Sequence, residues 1–428
     1  MAIHAHFSAV DFVVFSLILL ASMGIGIFFS RSGGAQQSNN EYLMAGRSMS
    51  SVPVAMSVLA SFVSSIAILG TPTEVYTFGF QYWMQSLTSF ISVPIMAWYL
   101  ERRFSFSVRM LGSTVFVIQT VLYTAIVLYG PSLTLESVTG FPLWLSAIVT
   151  GLVCTFYTTL GGMKAVIWTD VFQGIVMLLG MITIIIIGTA KVGGLGKVFD
   201  IAHHGHRLDV ESVWMNLPLT ILNTSVTALV GLVLYAFYVS CDPISAGEIH
   251  AGDEILPYFV IEVLGKFHGI PGVFVATLFC GTLSTVASGL NALAAVTVED
   301  FLPLLLTRIP PEREALISKM LVFVYGLVSL ALAFSVSKLG NMILQMSAAM
   351  FGTTGGPMLA LFSLGILTKR ASTKAVWIGV VIGFSVAAWI SIGALVNPPN
   401  YPTLPMSISG CASNLTNSIM TSIHPSTR

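Results

Sequence analysis

Apolar residues come along this chain in long blocks rather than in short alternating patches. About eleven of these blocks approach the roughly 20 residues that a helix needs to cross a bilayer core. They lie at 12–29, 52–69, 82–100, 111–129, 143–160, 171–190, 217–239, 273–298, 315–336, 343–367 and 375–395. The pattern predicts an all-α polytopic membrane protein, with one transmembrane domain over 1–396 and a polar tail over 397–428 that reads as loop or disorder. The first block, FVVFSLILLASMGIGIFF, is too long for the core of a cleavable signal peptide and reads as a span. Neither end carries a lipidation motif.

Charge sharpens this picture. The loops after the first, third and fifth blocks hold Arg31, Arg47, Arg102, Arg103, Arg109 and Lys164, whereas those after the second and fourth hold no Lys or Arg. Cytoplasmic loops are enriched in Lys and Arg, so the N-terminus is expected outside the cytoplasm. Two later clusters, Arg308 with Arg313 and Lys319, and Lys369 with Arg370 and Lys374, should also be cytoplasmic. Strict alternation of eleven blocks puts both outside. One further crossing between Lys191 and Trp214 would return every loop to its expected side, so the parity points to a segment this chain lacks. A re-entrant or unusually oriented region is the other reading.

Candidate chemistry lies inside two blocks. On a helix, positions i, i+3, i+4 and i+7 share a face, and Gly281, Ser284, Thr285 and Ser288 have this spacing. Small residues of this kind allow close packing in membranes. They also suit a hard monovalent cation, which takes oxygen ligands and needs backbone carbonyls freed by a broken helix. The second block, SVLASFVSSIAILGTPTEVYTFG, offers such a break: Gly70 and Pro72 weaken the helix, and a mid-span stretch of small and hydroxyl residues with Ser57, Ser61, Ser64 and Ser65 would unwind and free carbonyls near Ala60 and Val63. From spacing alone, packing and an ion site both stand.

FYTTLGGMKAVIWTDVFQ (156–173), GTLSTVASGLNALAAVTVED (281–300) and the second block together resemble the sodium/solute symporter family. VTGFPLWLSAIVTGLVCTFYTTLGG, AKVGGLG and GGPMLALFSLG are similar to its sodium-coupled monocarboxylate and multivitamin branch. The resemblance covers nearly the whole chain. It implies a LeuT-type bundle of two inverted five-helix repeats, with ion and substrate near the midplane. It also implies a sodium site made of the carbonyls of Ala60, Val63 and Gly281 with the hydroxyls of Ser284 and Thr285. With the family pattern added, the ion site is favoured over packing. The same resemblance places Asp170 near the cytoplasmic ion exit; read alone, Asp170 is equally an N-cap for the sixth span. It places the substrate pocket among Phe62, Ser64, Ala67, Ser86 and Gln345. No Lys or Arg lies mid-span to pair with an anion, so a carboxylate would be held by helix dipoles, hydroxyls and the sodium ion.

Relative to that family, one core helix between Arg207 and Trp214 and the last helix are missing, and the loop from Tyr99 to Leu111 is short. With the absent crossing restored, Cys241 and Cys411 both face outside, where an oxidising compartment would permit a disulfide; two free thiols are the alternative. Cys154 and Cys280 read as core residues. Asn414-Leu415-Thr416 is a glycosylation sequon in the polar tail, which implies a glycoprotein, while the sequon at Asn223 falls inside a span. His203, His204 and His206 have metal-like spacing but read as a solvated face.

The resulting expectation is a multi-pass plasma-membrane symporter that couples Na⁺ to small organic anions, monocarboxylates or vitamins such as biotin and pantothenate. The alternative is a transport-inactive form that associates with or regulates full-length transporters. No cofactor is expected beyond the coupling ion. The formal net charge of +0 speaks against nucleic acid as a partner. An enzyme is not expected either, because the spans hold no paired carboxylates and no nucleophile with a histidine.

Overall fold

A computed structural model describes residues 7–32, 39–80, 82, 106–205, 218–249, 251–305, 311–336, 343–367, 372–397 and 403–411. Among the described residues all regular structure is helical. The helices are α1 (Ala9–Ser32), α2 (Asn39–Met44), α3 (Ser51–Phe62), α4 (Ser65–Phe78), α5 (Phe106–Thr139), α6 (Leu143–Val192) and α7 (Leu195–His204). They continue with α8 (Pro218–Tyr238), α9 (Ile255–Phe259), α10 (Ile270–Val296), α11 (Pro311–Val336), α12 (Ile343–Leu367) and α13 (Thr373–Val396). Both α9 and α10 run on as π-helical turns, Val260–Leu264 and Thr297–Phe301.

Among the described residues six helices are long and apolar enough to cross a membrane, or seven if the bent pair α3 and α4 counts as one span. The block at 82–100 lies, apart from Tyr82, outside the described residues. The blocks at 143–160 and 171–190 are joined in the 50-residue α6. At about 1.5 Å per residue such a helix would be far longer than a bilayer core is thick. Gly162 resolves this: its φ of 59° breaks the helix, at little steric penalty for a residue without a Cβ. Cys154 and Tyr157 before the break lie beside Asp170 after it, so the chain doubles back there.

The second block breaks beside Ala60 and Val63, as its small and hydroxyl residues suggested, and not at Gly70 or Pro72. Gly70 and Pro72 lie inside an uninterrupted α4. The interruption is at Val63 (ψ 75°) and Ser64 (ψ 165°), and the axes on either side differ by 53°. Gly70 serves packing: a Cβ there would lie 2.6 Å from Leu344 Cβ of α12. The Pro72 carbonyl is covered by Gly231 of α8, where an added Cβ would stand 2.7 Å away.

Helix α10 is the hub. It packs against α1, α3, α5, α6 and α11, and nearly all its side chains are buried. Helices α1 and α13 lie at the periphery, with large apolar side chains such as Leu17 and Trp389 exposed, as expected of faces turned to lipid. The loop after α8 is tied to the later chain by the Cys241–Cys411 disulfide. Asp242 N donates to Ser407 O at 2.9 Å and Leu404 N to Thr77 O at 3.3 Å, so residues 403–411 form a loop, without regular structure, anchored to the bundle.

Candidate functional site

The last four carbonyls of a helix have no partner within it. In α3 these belong to Leu59, Ala60, Ser61 and Phe62, and Val63 follows in a non-helical conformation. Val63 N still donates to Leu59 O at 3.2 Å, which leaves the carbonyls after Leu59 at a free helix end. That end is electronegative through its aligned peptide dipoles and suits a cation.

Helix α10 approaches this end closely. A Cβ at Gly281 would lie 3.0 Å from the Val63 carbonyl oxygen, so a residue with a side chain would push the two helices apart. Four residues on, Thr285 Oγ1 donates to Ser61 O at 2.9 Å. A hydroxyl whose proton is engaged in this way turns its lone pairs toward the remaining space. Ser284 is completely buried, and its Oγ lies beside the Asp170 carboxylate without a hydrogen bond of normal geometry. Buried hydroxyls are rarely left unsatisfied, so each one calls for an explanation.

Asp170 supplies the charge. It lies within the second half of α6, fully buried, and is not an N-cap, because that half begins well before it. Its Oδ2 accepts from Ser57 Oγ at 2.5 Å, from Ser288 Oγ at 3.3 Å and, more weakly, from Ser61 Oγ at 3.5 Å. Ser61 Oγ and Ser288 Oγ are also 2.8 Å apart. The other carboxylate oxygen, Oδ1, is buried without a partner. A buried carboxylate bonded only by hydroxyls is expensive unless a cation or a proton accompanies it. The poorly satisfied Asp170 Oδ1 and Ser284 Oγ, set beside the free end of α3, therefore fit a small monovalent cation.

The structure thus brings together all five residues of the expected ion site, Ala60, Val63, Gly281, Ser284 and Thr285, and adds Asp170 with Ser57, Ser61 and Ser288. Ser57 shares a face with Ser61 and Ser64 at helical spacing, which was the signal in the sequence. Nothing in the sequence placed α6 against them, because this contact is made only after the turn at Gly162. Around it, the Gln173 amide and the Thr158 hydroxyl are buried without partners, and Tyr157 Oη donates to Leu283 O at 3.0 Å.

The expected substrate residues are less well gathered. Ser64 is buried, with the Tyr123 hydroxyl beside it. Ala67 is half-buried one turn along α4. Phe62 ends α3, Gln345 is exposed at the start of α12, and Ser86 lies outside the described residues. The sequon at Asn414 and His206 also lie outside them. His203 and His204 sit at the exposed end of α7, with His204 Nδ1 2.8 Å from Asp200 O. Among the described residues no cluster suits a transition metal.

Comparison with known proteins places this geometry. The sequence pattern described as "Sodium:solute symporter family" matches residues 42–211 and 206–383. The chain is 38% identical to the sodium-coupled monocarboxylate transporter 1 of Homo sapiens, over 97% of this chain and 80% of that one. It is likewise 38% identical to the sodium-dependent multivitamin transporter of Oryctolagus cuniculus, over 98% and 77%. The first alignment runs to 486 positions against a 428-residue chain, so the relative has residues with no counterpart here. Among solved structures, a substrate-bound, outward-open Na⁺-coupled sialic acid symporter superposes with a TM-score of 0.68 at 21% identity, covering 93% of this chain and 99% of that one. The shared fold is the LeuT-type bundle.

Proposed function

This chain belongs to the sodium:solute symporter family, whose members are membrane-spanning sodium-coupled transporters, and on that premise we propose that it carries small organic anions across the plasma membrane together with Na⁺. The supporting observation is the pair of buried, poorly satisfied oxygens, Ser284 Oγ and Asp170 Oδ1, beside the free end of α3. In this reading the carbonyls of Ala60, Val63 and Gly281 and the hydroxyls of Ser284 and Thr285 hold the ion. Asp170 balances its charge and receives it on the way to the cytoplasm. Bound sodium bridges α3 and α10 and favours whichever conformation brings them together; it drives the cycle only through that preference. Entry is aided by the membrane potential, about 2.3 kcal/mol per elementary charge per 100 mV.

A carboxylate substrate fits the N-terminal end of α4. The first amides of a helix are unpartnered donors at its positive end, and α4 has no side-chain cap. Ser64 and Ala67 border that end, and Phe62, Ser86 and Gln345 complete the proposed pocket. The relatives' names point to monocarboxylates or to vitamins, and biotin and pantothenate are the vitamins expected of this reading. The test is uptake of radiolabelled lactate and biotin by cells that make only this chain, in sodium and in choline medium. Uptake that ignores sodium refutes the proposal.

One observation favours a second reading. The two family matches meet at residues 206–211, where charge parity called for another crossing. A chain without that helix would lack part of its substrate site and would act by associating with full-length relatives. In that case uptake is absent from cells making this chain alone, and its co-expression changes the uptake of a full-length relative.

A further inference from the structure

Helix α10 has an unusual beginning. Its N-cap is Gly269, held at φ 96° and offering no side chain to the first amides. Pro271 lacks an amide hydrogen, and the donors on either side of it are satisfied from elsewhere in the chain. Asp11 of α1 is fully buried, and its Oδ1 accepts from Gly269 N at 2.7 Å and from Gly272 N at 3.1 Å. Its Oδ2 accepts from Ser8 N at 2.8 Å and from Ser8 Oγ at 2.6 Å. Ser8 in turn caps α1, with Asp11 N and Phe12 N donating to its carbonyl at 3.0 and 3.2 Å. One carboxylate therefore closes the first turn of its own helix and serves as the missing cap of a helix 258 residues away. The negative charge also meets the positive end of the α10 dipole.

The backbones touch at the same point. A Cβ on Gly272 would lie 2.4 Å from Asp11 O, so α1 and α10 meet with nothing between them. Phe15 and Phe279 continue the contact, ring centroids 4.8 Å apart. At its other end, after the π-helical turn, Asp300 accepts from Ser113 of α5. The hub helix is thus fastened at both ends, and Asp11 is the fastening at its start.

We propose that Asp11 is a positioning residue for the ion site: by capping α10 from α1 it sets the height of α10 against the broken span, and so the places of Ser284 and Thr285 relative to Val63 and Ser61. The inference rests on the sodium reading of that site. Ser284 lies about 18 Å along the helix from Gly272 at about 1.5 Å per residue. A helix is stiff along its axis, so a slip at the cap reaches the hydroxyls almost undiminished. Asp11 does not touch the ion.

The test measures melting of the detergent-purified chain across a sodium series at constant ionic strength, with choline as replacement. The midpoint of the sodium-dependent shift is read separately from the sodium-free melting temperature. Asp11→Asn keeps the size but loses the charge and turns one donor toward Ser8; it should raise the sodium midpoint about tenfold, as expected for removing a carboxylate from a helix N-terminus. Ser8→Ala loosens the carboxylate and should raise it about threefold, keeping the test alive if the first variant does not fold. Asp11→Glu restores charge but not reach, so its midpoint stays raised. Asp200→Asn, on the exposed α7, leaves it unchanged. A merely structural Asp11 would lower the sodium-free melting temperature and leave the midpoint where it was, which overturns the inference. A wild-type chain with no sodium-dependent shift overturns the sodium reading, and the inference with it.

Discussion

Ser284→Ala separates an ion ligand from a packing residue, because the two roles predict opposite behaviour in the absence of sodium. Ser284 Oγ is buried and makes no hydrogen bond of normal geometry within the protein; it has only a poorly aligned contact with the Asp170 carboxylate, so deleting it forfeits little. The variant also removes a buried, poorly satisfied polar atom, a group whose burial carries a penalty of about 1–3 kcal/mol. Sodium-free stability should therefore hold or rise. With sodium the balance reverses. Losing one hydroxyl from a charged centre weakens binding by about 1.5–3 kcal/mol, roughly 10- to 150-fold. A ligand that binds only the folded state stabilises it by RT ln(1 + [L]/Kd), about 2.7 kcal/mol when present at about 100 times Kd. At the same sodium concentration a variant with about 30-fold weaker affinity gains only about 0.8 kcal/mol. Sodium should thus stabilise Ser284→Ala by about 2 kcal/mol less than it stabilises the wild type. The assay is thermal unfolding of the purified chain in sodium and in choline at equal ionic strength. An equal sodium shift in the two proteins, or a sodium-free loss of more than about 1 kcal/mol, would refute the reasoning and return Ser284 to the role of packing.

Thr285→Val keeps the shape but loses the bond to Ser61 O; sodium affinity should fall about tenfold, as read from the sodium dependence of uptake or melting. Gly70→Ala drives a methyl group to 2.6 Å from Leu344 Cβ, and the collision between α4 and α12 should lower stability by about 1–3 kcal/mol on chemical or thermal unfolding. Cys241→Ser should remove the disulfide to Cys411, so that protease-nicked protein no longer needs a reductant to release its C-terminal fragment on a gel. Asp253, in the turn before α9, accepts from Ile343 N at 2.8 Å, and burial pushes its carboxyl up to about 7 from 3.8, with Glu254 and Glu74 adding to the rise. The folded protein holds this proton more tightly than the unfolded chain, so stability from this group is present below pH 3.8 and is lost as pH rises toward about 7. Asp253→Asn should flatten that part of the stability profile.

The spans were legible because hydrocarbon imposes a length on every helix that crosses it, and the block edges fall close to the ends of α8, α12 and α13. The hydroxyl-bearing face of α10 was legible for a similar reason: Gly281, Ser284 and Thr285 lie on one helix, and helical spacing alone puts them side by side. The break expected near Ala60 and Val63 from the small and hydroxyl residues there does fall at that place, whereas the weakening expected at Gly70 and Pro72 does not interrupt the helix. Gly70 and Pro72 are the residues that local propensity flags, yet they lie within α4, where Leu344 and Gly231 need close approach. The break falls at Val63 and Ser64, which have no strong intrinsic preference for it. Tertiary contacts decide the matter, since the Ser61 carbonyl gains a donor from Thr285 and the Ser65 hydroxyl donates to Val127 O at 3.1 Å. Asp170 was placed at the ion exit by the family resemblance, but its serine partners could not be read, because they belong to helices more than a hundred residues away in sequence. Asp11 gave no signal, since a lone aspartate near the start of a span reads as an interfacial residue.

The components of the proposed ion site come from α3, α6 and α10, and each of these is held by contacts among the described residues. The turn at Gly162 brings Asp170 to α3, and Asp11 and Asp300 hold the ends of α10. The proposed anion site differs, because it depends on what surrounds the start of α4. The rest of α4 is held separately: α8 supplies Gly231 against Pro72, and the loop after α8 supplies Asp242, which accepts from Tyr76 Oη at 2.6 Å. Sodium binding and sodium coupling are therefore separable in this chain. Binding needs only the converging oxygens, whereas coupling needs a substrate whose affinity differs between the same two conformations that sodium distinguishes. A chain that keeps the oxygens and lacks a wall of the anion site would still respond to sodium by drawing α10 onto α3, while carrying nothing. That is why the sodium-dependent melting shift and the sodium-dependent uptake answer two different questions about it.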